Sequence, residues 1–175
     1  MESSGNIFIV MGVSGSGKTT IGELLAQKLG LPFHDADDFH SPANVAKMAH
    51  GIPLTDDDRR GWLAELAAGI SEWEKTGGAV LACSALKEAY RQTLQAGPQQ
   101  PIKWVFLDGS RELLLSRMGS RKGHYMKPDM LDSQLATLEK PTYGLRLELE
   151  GHGPQELVAE VLKAYDLEAR VKSQS

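Results

Sequence analysis

The run Gly12-Val13-Ser14-Gly15-Ser16-Gly17-Lys18-Thr19 constrains this chain more than any other stretch. It has the G-x-x-x-x-G-K-[ST] spacing in a fitting context. The apolar run Ile7-Phe8-Ile9-Val10-Met11 before it reads as a strand, and Ile21, Leu24, Leu25 and Leu29 after it fall at helical spacing. Phosphate binding requires these residue types. Glycines let the backbone turn so that successive N–H groups point inward, with no Cβ in the way of an anion. The helix that opens here adds the positive end of its dipole. Lys18 is placed to bridge β- and γ-phosphates, and the Thr19 hydroxyl to ligate Mg²⁺. The sequence predicts binding of a nucleoside triphosphate.

At 175 residues the chain is expected to form one domain over 1–175 with a sizeable core. A net charge of −4 argues against an extended nucleic-acid surface. No segment approaches transmembrane length, and Met1-Glu2-Ser3-Ser4-Gly5 is too short and acidic for a signal peptide. The single cysteine, Cys83, excludes an internal disulfide and suits a reducing compartment, so the expected location is the cytosol.

Further along, β-rich apolar runs alternate with helical periodicity, the pattern of a mostly parallel sheet with helices on both faces. Strands are expected at 31–35, 79–83, 102–107 and 145–149. Ser41-Pro42 reads as an N-cap with proline in the first helical position, opening a short helix toward Met48. Asp56, Asp57 and Asp58 start a longer helix with Trp62, Leu63, Leu66, Ile70 and Trp73 on one face. Other helices are expected at 86–96, 112–118, 130–138 and 155–165, with a frayed tail over 168–175.

Ligands of an open α/β sheet sit beyond the carboxyl ends of its strands, so those positions matter most. The second strand ends in Asp35-Ala36-Asp37-Asp38-Phe39-His40, whose alternate carboxylates can divide the work: Asp35 near Mg²⁺, Asp37 on a substrate hydroxyl. The third ends in Cys83-Ser84-Ala85-Leu86-Lys87, with no acid there to hold a metal. Ser84 can contact substrate, and Cys83 reads as a small packed side chain. Arg59 and Arg60 suit an anionic substrate. Arg117, Arg121 and Lys122 lie in or beside a glycine-punctuated segment at 119–127. Such a segment reads as a lid that can bring a guanidinium to the phosphates.

Five stretches together resemble the gluconokinases: the Gly12–Thr19 loop, Asp35–His40, Pro53-Leu54-Thr55-Asp56-Asp57-Asp58-Arg59, Cys83–Lys87 and Arg121-Lys122-Gly123-His124. The resemblance runs from about Ile7 to Tyr165. It is weakest over Leu147–Pro154, where such kinases cradle adenine.

It implies a P-loop three-layer sandwich with a five-stranded parallel sheet in the order 2-3-1-4-5, a lid, and a homodimer. It also implies ATP-dependent phosphorylation of D-gluconate at O6. Gly12, Ser14, Gly15, Ser16, Gly17, Lys18, Thr19, Thr20 and Arg117 would then hold ATP, and Thr19 and Asp35 the Mg²⁺. Asp35, Asp37, His40, Arg59, Ser84, Lys87 and His124 would hold gluconate, with Lys18, Asp37 and Arg121 catalytic. Two other readings remain: a kinase for shikimate, adenylylsulfate or a nucleoside monophosphate, and a nucleotide-dependent regulator without chemistry.

Overall fold

A computed structural model describes residues 5–120 and 128–167. The sheet is built on β1 (Asn6–Met11), which pairs in parallel with β3 (Gly78–Ala82) on one side and β4 (Lys103–Asp108) on the other. β2 (Phe33–Asp35) extends the sheet beyond β3, and β5 (Leu145–Glu148) beyond β4. The order is therefore β2-β3-β1-β4-β5, as the gluconokinase resemblance implies. The helices are α1 (Lys18–Leu29), α2 (Pro42–Ala49), α3 (Asp56–Lys75), α4 (Glu88–Gln95), α5 (Arg111–Ser120), α6 (Pro128–Thr137) and α7 (Pro154–Ala164).

β1 carries no polar alternation because both of its faces are covered. Phe8 and Val10 pack with Ile21, Leu25, Leu157 and Val161 of α1 and α7. Ile7, Ile9 and Met11 pack on the opposite face with Leu63, Leu66, Ile70 and Leu94 of α3 and α4. These five apolar residues of β1 are essentially inaccessible to solvent.

Local chemistry sets several boundaries. The Ser41 hydroxyl accepts the Asn44 N–H, with Pro42 at the first helical position, as the sequence predicts. Thr55 and Asp58 exchange hydrogen bonds in a capping box that starts α3. β2 is shorter than the predicted 31–35. Pro32 has no N–H to give, and its carbonyl alone joins the sheet, accepting the Val80 N–H at 3.0 Å. α4 starts at Glu88 rather than Leu86, because Ala85 is left-handed (φ 46°) and Lys87 is extended. Of the predicted lid, Gly119 and Ser120 complete α5; the remainder, 121–127, lies outside the described residues, as does the tail at 168–175.

A buried guanidinium ties the carboxyl edge together. Arg91 of α4 is 2% exposed and donates to the Ala85 carbonyl (2.7 Å), the Glu139 carbonyl (2.7 Å) and the Tyr143 hydroxyl (2.9 Å). It also pairs with Glu88 at 3.1 Å. Ala85 is a non-glycine residue in the left-handed region, which costs about 1 kcal/mol or more, and Arg91 holds its carbonyl in place. Arg91→Leu keeps the bulk but orphans the buried Ala85 carbonyl and strips the partly buried Glu139 carbonyl of its donor. It should lower unfolding stability by about 3 kcal/mol. A urea midpoint unchanged from wild type would contradict this.

Candidate active site

The loop between β1 and α1 turns on three glycines with positive φ: Gly12 (155°), Gly15 (85°) and Gly17 (93°). At Gly12 a Cβ would lie 2.8 Å from the Ser16 hydroxyl oxygen, so only glycine fits the bend. Gly17 caps α1, and Lys18 is its first residue, which places the ammonium at the helix N-terminus. The Val13 carbonyl is the hub of the loop. It accepts from the Ser16 N–H (3.2 Å), the Ser16 hydroxyl (2.6 Å) and Lys18 Nζ (3.2 Å).

The two carboxylates after β2 take different positions. Asp35 Oδ2 accepts from the Thr19 hydroxyl at 3.3 Å, and Oδ1 accepts the Asp37 N–H at 2.9 Å. Asp35 thus joins the phosphate loop and caps the turn that carries Asp37. The hydroxyl and carboxylate form a hard oxygen pair of the kind that holds Mg²⁺ together with nucleotide phosphates and water. The tip of Asp37 is open to the cleft. The protein around it, and then the charge of Asp35, push its carboxyl above the ordinary carboxylate range, although Lys18 and His40 act in the opposite direction.

His40 is stacked on Trp62, with centroids 4.3 Å apart, and its Nε2 lies 4.0 Å from Asp37 Oδ1. Burial lowers its pKa, which favours the neutral ring. Asn44 Nδ2, which also donates to the Asp58 carbonyl at 2.9 Å, stands 3.3 Å from His40 Nδ1. That contact assigns the acceptor role to Nδ1 and the proton to Nε2, facing Asp37.

On the α3–α4 side, Arg59, Lys87, Tyr90 and Asp56 form one cluster. Lys87 Nζ donates to Asp56 Oδ1 (3.0 Å), the Tyr90 hydroxyl donates to the same carboxylate, and Arg59 Nη1 donates to Tyr90 Oη (3.2 Å). Both cations also lie over the Tyr90 ring, at 5.5 and 5.6 Å from its centroid. The hydrogen bonds from Tyr90 and Lys87 hold Asp56 below its ordinary pKa, and Asp56 in turn raises Lys87.

The three aspartates at the start of α3 therefore do more than cap a helix. Asp56 faces the cluster, Asp58 closes the capping box and binds Lys47 at 2.8 Å, and Asp57 pairs with Arg60. Arg60, expected beside Arg59 as an anion ligand, is instead exposed and engaged with Asp57 at 2.6 Å.

Beside the loop, a cleft of about 290 Å³ is lined by Gly15, Gly17, Thr20, Ile21, Arg117, Pro154 and Leu157. Arg117 Nη1 donates to the Ser16 carbonyl at 3.3 Å, so this arginine lies on the phosphate loop. Ser84 is partly buried after β3, one residue from the Ala85 strain. A larger cleft, about 520 Å³, runs past Lys103, Trp104 and Gly144 at the opposite edge of the sheet and contains none of these candidates. Arg121 and His124 lie outside the described residues.

The sequence model of the shikimate kinase family matches residues 14–164. The gluconokinase of Gluconobacter oxydans is 46% identical over 164 residues, which cover 91% of this chain and 91% of that protein. The chain belongs to the gluconokinase family. Two solved structures extend the likeness to three dimensions. A gluconokinase from Sinorhizobium meliloti superposes with a TM-score of 0.84 at 39% identity, covering 100% of this chain and 99% of that one. A sugar kinase from Janibacter does so with a TM-score of 0.87 at 43% identity, covering 95% and 98%.

In this member of the gluconokinase family the sequence missed Tyr90, Asn44 and Gln134. Tyr90 falls three residues after Lys87, a spacing that signals a neighbour in a stretch read as helix from residue 86. For Gln134 and for the Asn44 link to the Asp58 carbonyl the sequence holds no such signal, because those partners are 120 and 14 residues away.

A raised carboxyl pKa works against folding at neutral pH. The folded state favours the protonated form, so stability falls as pH rises through the folded pKa. Asp37→Asn removes that ionisation and should raise Tm at pH 7. The gain should vanish below the unfolded pKa of aspartate, where both states are protonated. A Tm at pH 7 equal to or below wild type would show that the Asp37 charge carries no folding penalty.

Proposed function

We propose that the protein transfers the γ-phosphoryl group of ATP to O6 of D-gluconate, giving 6-phospho-D-gluconate and ADP. One observation carries this reading: Asp35 binds Thr19 of the phosphate loop while capping the turn that presents Asp37 to the cleft. That arrangement sets an acceptor-facing carboxylate beside a nucleotide site. The names of the relatives supply the acceptor.

In this reading the acceptor O6–H donates its proton to the Asp37 carboxylate as the oxygen bonds to γ-phosphorus. The bond from γ-phosphorus to the β–γ bridging oxygen breaks, and ADP departs. A loose transition state asks little of a base, so Asp37 contributes positioning as much as proton transfer, helped by the neutral His40 beside it. Lys18 and the loop N–H groups stabilise charge on the β- and γ-phosphates.

Mg²⁺ bound by Thr19 and Asp35 would neutralise phosphate charge. Arg117 lies on the loop for ground-state binding of ATP, and Arg121 is assigned to the charge that develops on transfer. Arg59, Lys87 and Ser84, joined by His124, suit a polyhydroxy carboxylate: cations for its anionic end, hydroxyl partners along its length. A homodimer and a cytosolic location complete the proposal. Cys83 supports the second, since a buried thiol with no disulfide partner suits a reducing compartment.

The test is ADP release from ATP·Mg²⁺ with gluconate, shikimate, adenylylsulfate or AMP as acceptor. Gluconate alone should stimulate it. The acid limb of kcat/KM should lie above the ordinary carboxylate range, because turnover is lost as pH falls and Asp37 takes up a proton. Asp37→Asn should cost about a hundredfold in turnover with ATP affinity nearly unchanged. Stimulation by another acceptor instead, or an Asn variant with full turnover, would overturn the assignment.

Lys18→Ala should lower turnover by about a hundredfold or more while Tm holds, since it removes charge stabilisation without opening a core cavity. Transfer within tenfold of wild type would remove Lys18 from the reaction.

A further inference from the structure

Gln134 of α6 reaches across the cleft to the phosphate loop. Its Oε1 accepts the Ser14 N–H at 2.7 Å, and its Nε2 donates to the Ser14 hydroxyl at 3.0 Å. The Ser14 N–H belongs to the same peptide unit as the Val13 carbonyl. In a trans peptide the N–H and C=O point in opposite directions. One edge of this unit is therefore held by Gln134, while the other holds Lys18 Nζ and both donors of Ser16.

Within the loop that orientation rests on the Ser16 and Lys18 donors to the Val13 carbonyl, and the backbone itself adds little resistance. Gly12 and Gly15, on either side of the Val13-Ser14 pair, both have positive φ and lack the Cβ that would oppose rotation. A rotated peptide would turn its N–H into the loop and withdraw the carbonyl from Lys18. The side chain that opposes this is itself well anchored. One turn earlier on α6, Leu131 is fully buried in the core. Just past the helix, the Glu139 N–H donates to the Leu86 carbonyl at 2.8 Å and the Glu139 carbonyl accepts from Arg91.

We propose that Gln134 is a positioning residue for phosphoryl transfer, which clamps the Val13–Ser14 peptide and thereby sets where the Lys18 ammonium meets the phosphates. The inference rests on the transfer reaction proposed above. Gln134 itself neither gives nor takes a proton, and it acts through the peptide and Lys18. A small misplacement of a charge-stabilising group is enough to cost one or two orders of magnitude in rate.

The test uses the full chain with Gln134→Met, which keeps length and helix propensity but makes neither hydrogen bond, and Gln134→Ala, which does so by truncation. Both should lower kcat by about tenfold or more while the KM for gluconate changes little. Tm should hold, since Gln134 is only partly buried. By titration calorimetry, ATP affinity should fall more than ADP affinity, because Lys18 bridges the β- and γ-phosphates. In the nucleotide-free protein, the Ser14 amide should exchange faster with solvent than in wild type.

Unchanged kcat, equal losses for ATP and ADP, or a Ser14 amide as protected as in wild type would each overturn the proposal. A loss confined to Tm and KM would reduce Gln134 to a packing residue. If wild type fails to phosphorylate gluconate, the proposed reaction falls, while amide exchange and nucleotide affinities still decide the role of Gln134.

Discussion

Everything at the site depends on β1 having a parallel partner on each side. With β3 and β4 both running alongside it, their carboxyl ends arrive at one edge, and the chain leaving β1 must turn there between its neighbours. The turn is tight: a Cβ at Gly12 would press on Ser16 and on the Leu107 carbonyl of β4, 3.1 Å away. The glycine loop is thus shaped by the sheet as much as by the phosphate it suits. The Cys83 N–H donating to the Val10 carbonyl at 3.1 Å carries the alignment one step past β3 and fixes where Ser84 begins.

Around that edge the polar groups fall into two sets with different energetics. Asp56, Lys87, Tyr90 and Arg59 are mutually paired, so each charge is stabilised by a neighbour. Asp37 is not compensated to the same degree. Its surroundings and Asp35 disfavour its charge, and the neighbouring His40 is held neutral. The strained Ala85 is a similar case, kept in place by the Arg91 guanidinium. A site that keeps a carboxylate uneasy and a backbone torsion strained needs rigid support elsewhere, and α4 and α6 provide it.

The sequence was legible where one residue type admits few environments. A glycine pattern between an apolar strand and an amphipathic helix left little choice, and Asp35 stood beside Thr19 because β2 ends where α1 begins. The helix caps at Ser41 and Thr55 were local chemistry of the same sort. Less legible were contacts made by residues at home anywhere. Gln134 is an ordinary helix former, and its link to Ser14 exists only once α6 has docked. Tyr90 packs in the core while its hydroxyl reaches Asp56, a double role its residue type does not announce, and Arg60 could have shared the work of Arg59. Their separation by about 100° around α3 directs one into the cluster and the other to solvent. Ala85 carried no warning, since alanine rarely accepts a left-handed torsion unless its surroundings impose it.

Cys83, the only cysteine, closes β3 in the middle of this edge and is buried. Burial pushes its thiol up to about 12, with Lys18, Asp35 and Asp37 near enough for their charges to be felt. The sulfur is therefore protonated and shielded at any physiological pH, inert to alkylating agents and oxidants while the strands stay closed. Modification can proceed only in molecules whose sheet edge has opened. The chain thus contains its own chemical clock for that opening, one that keeps time at the loop where phosphate chemistry is assigned and needs no added label.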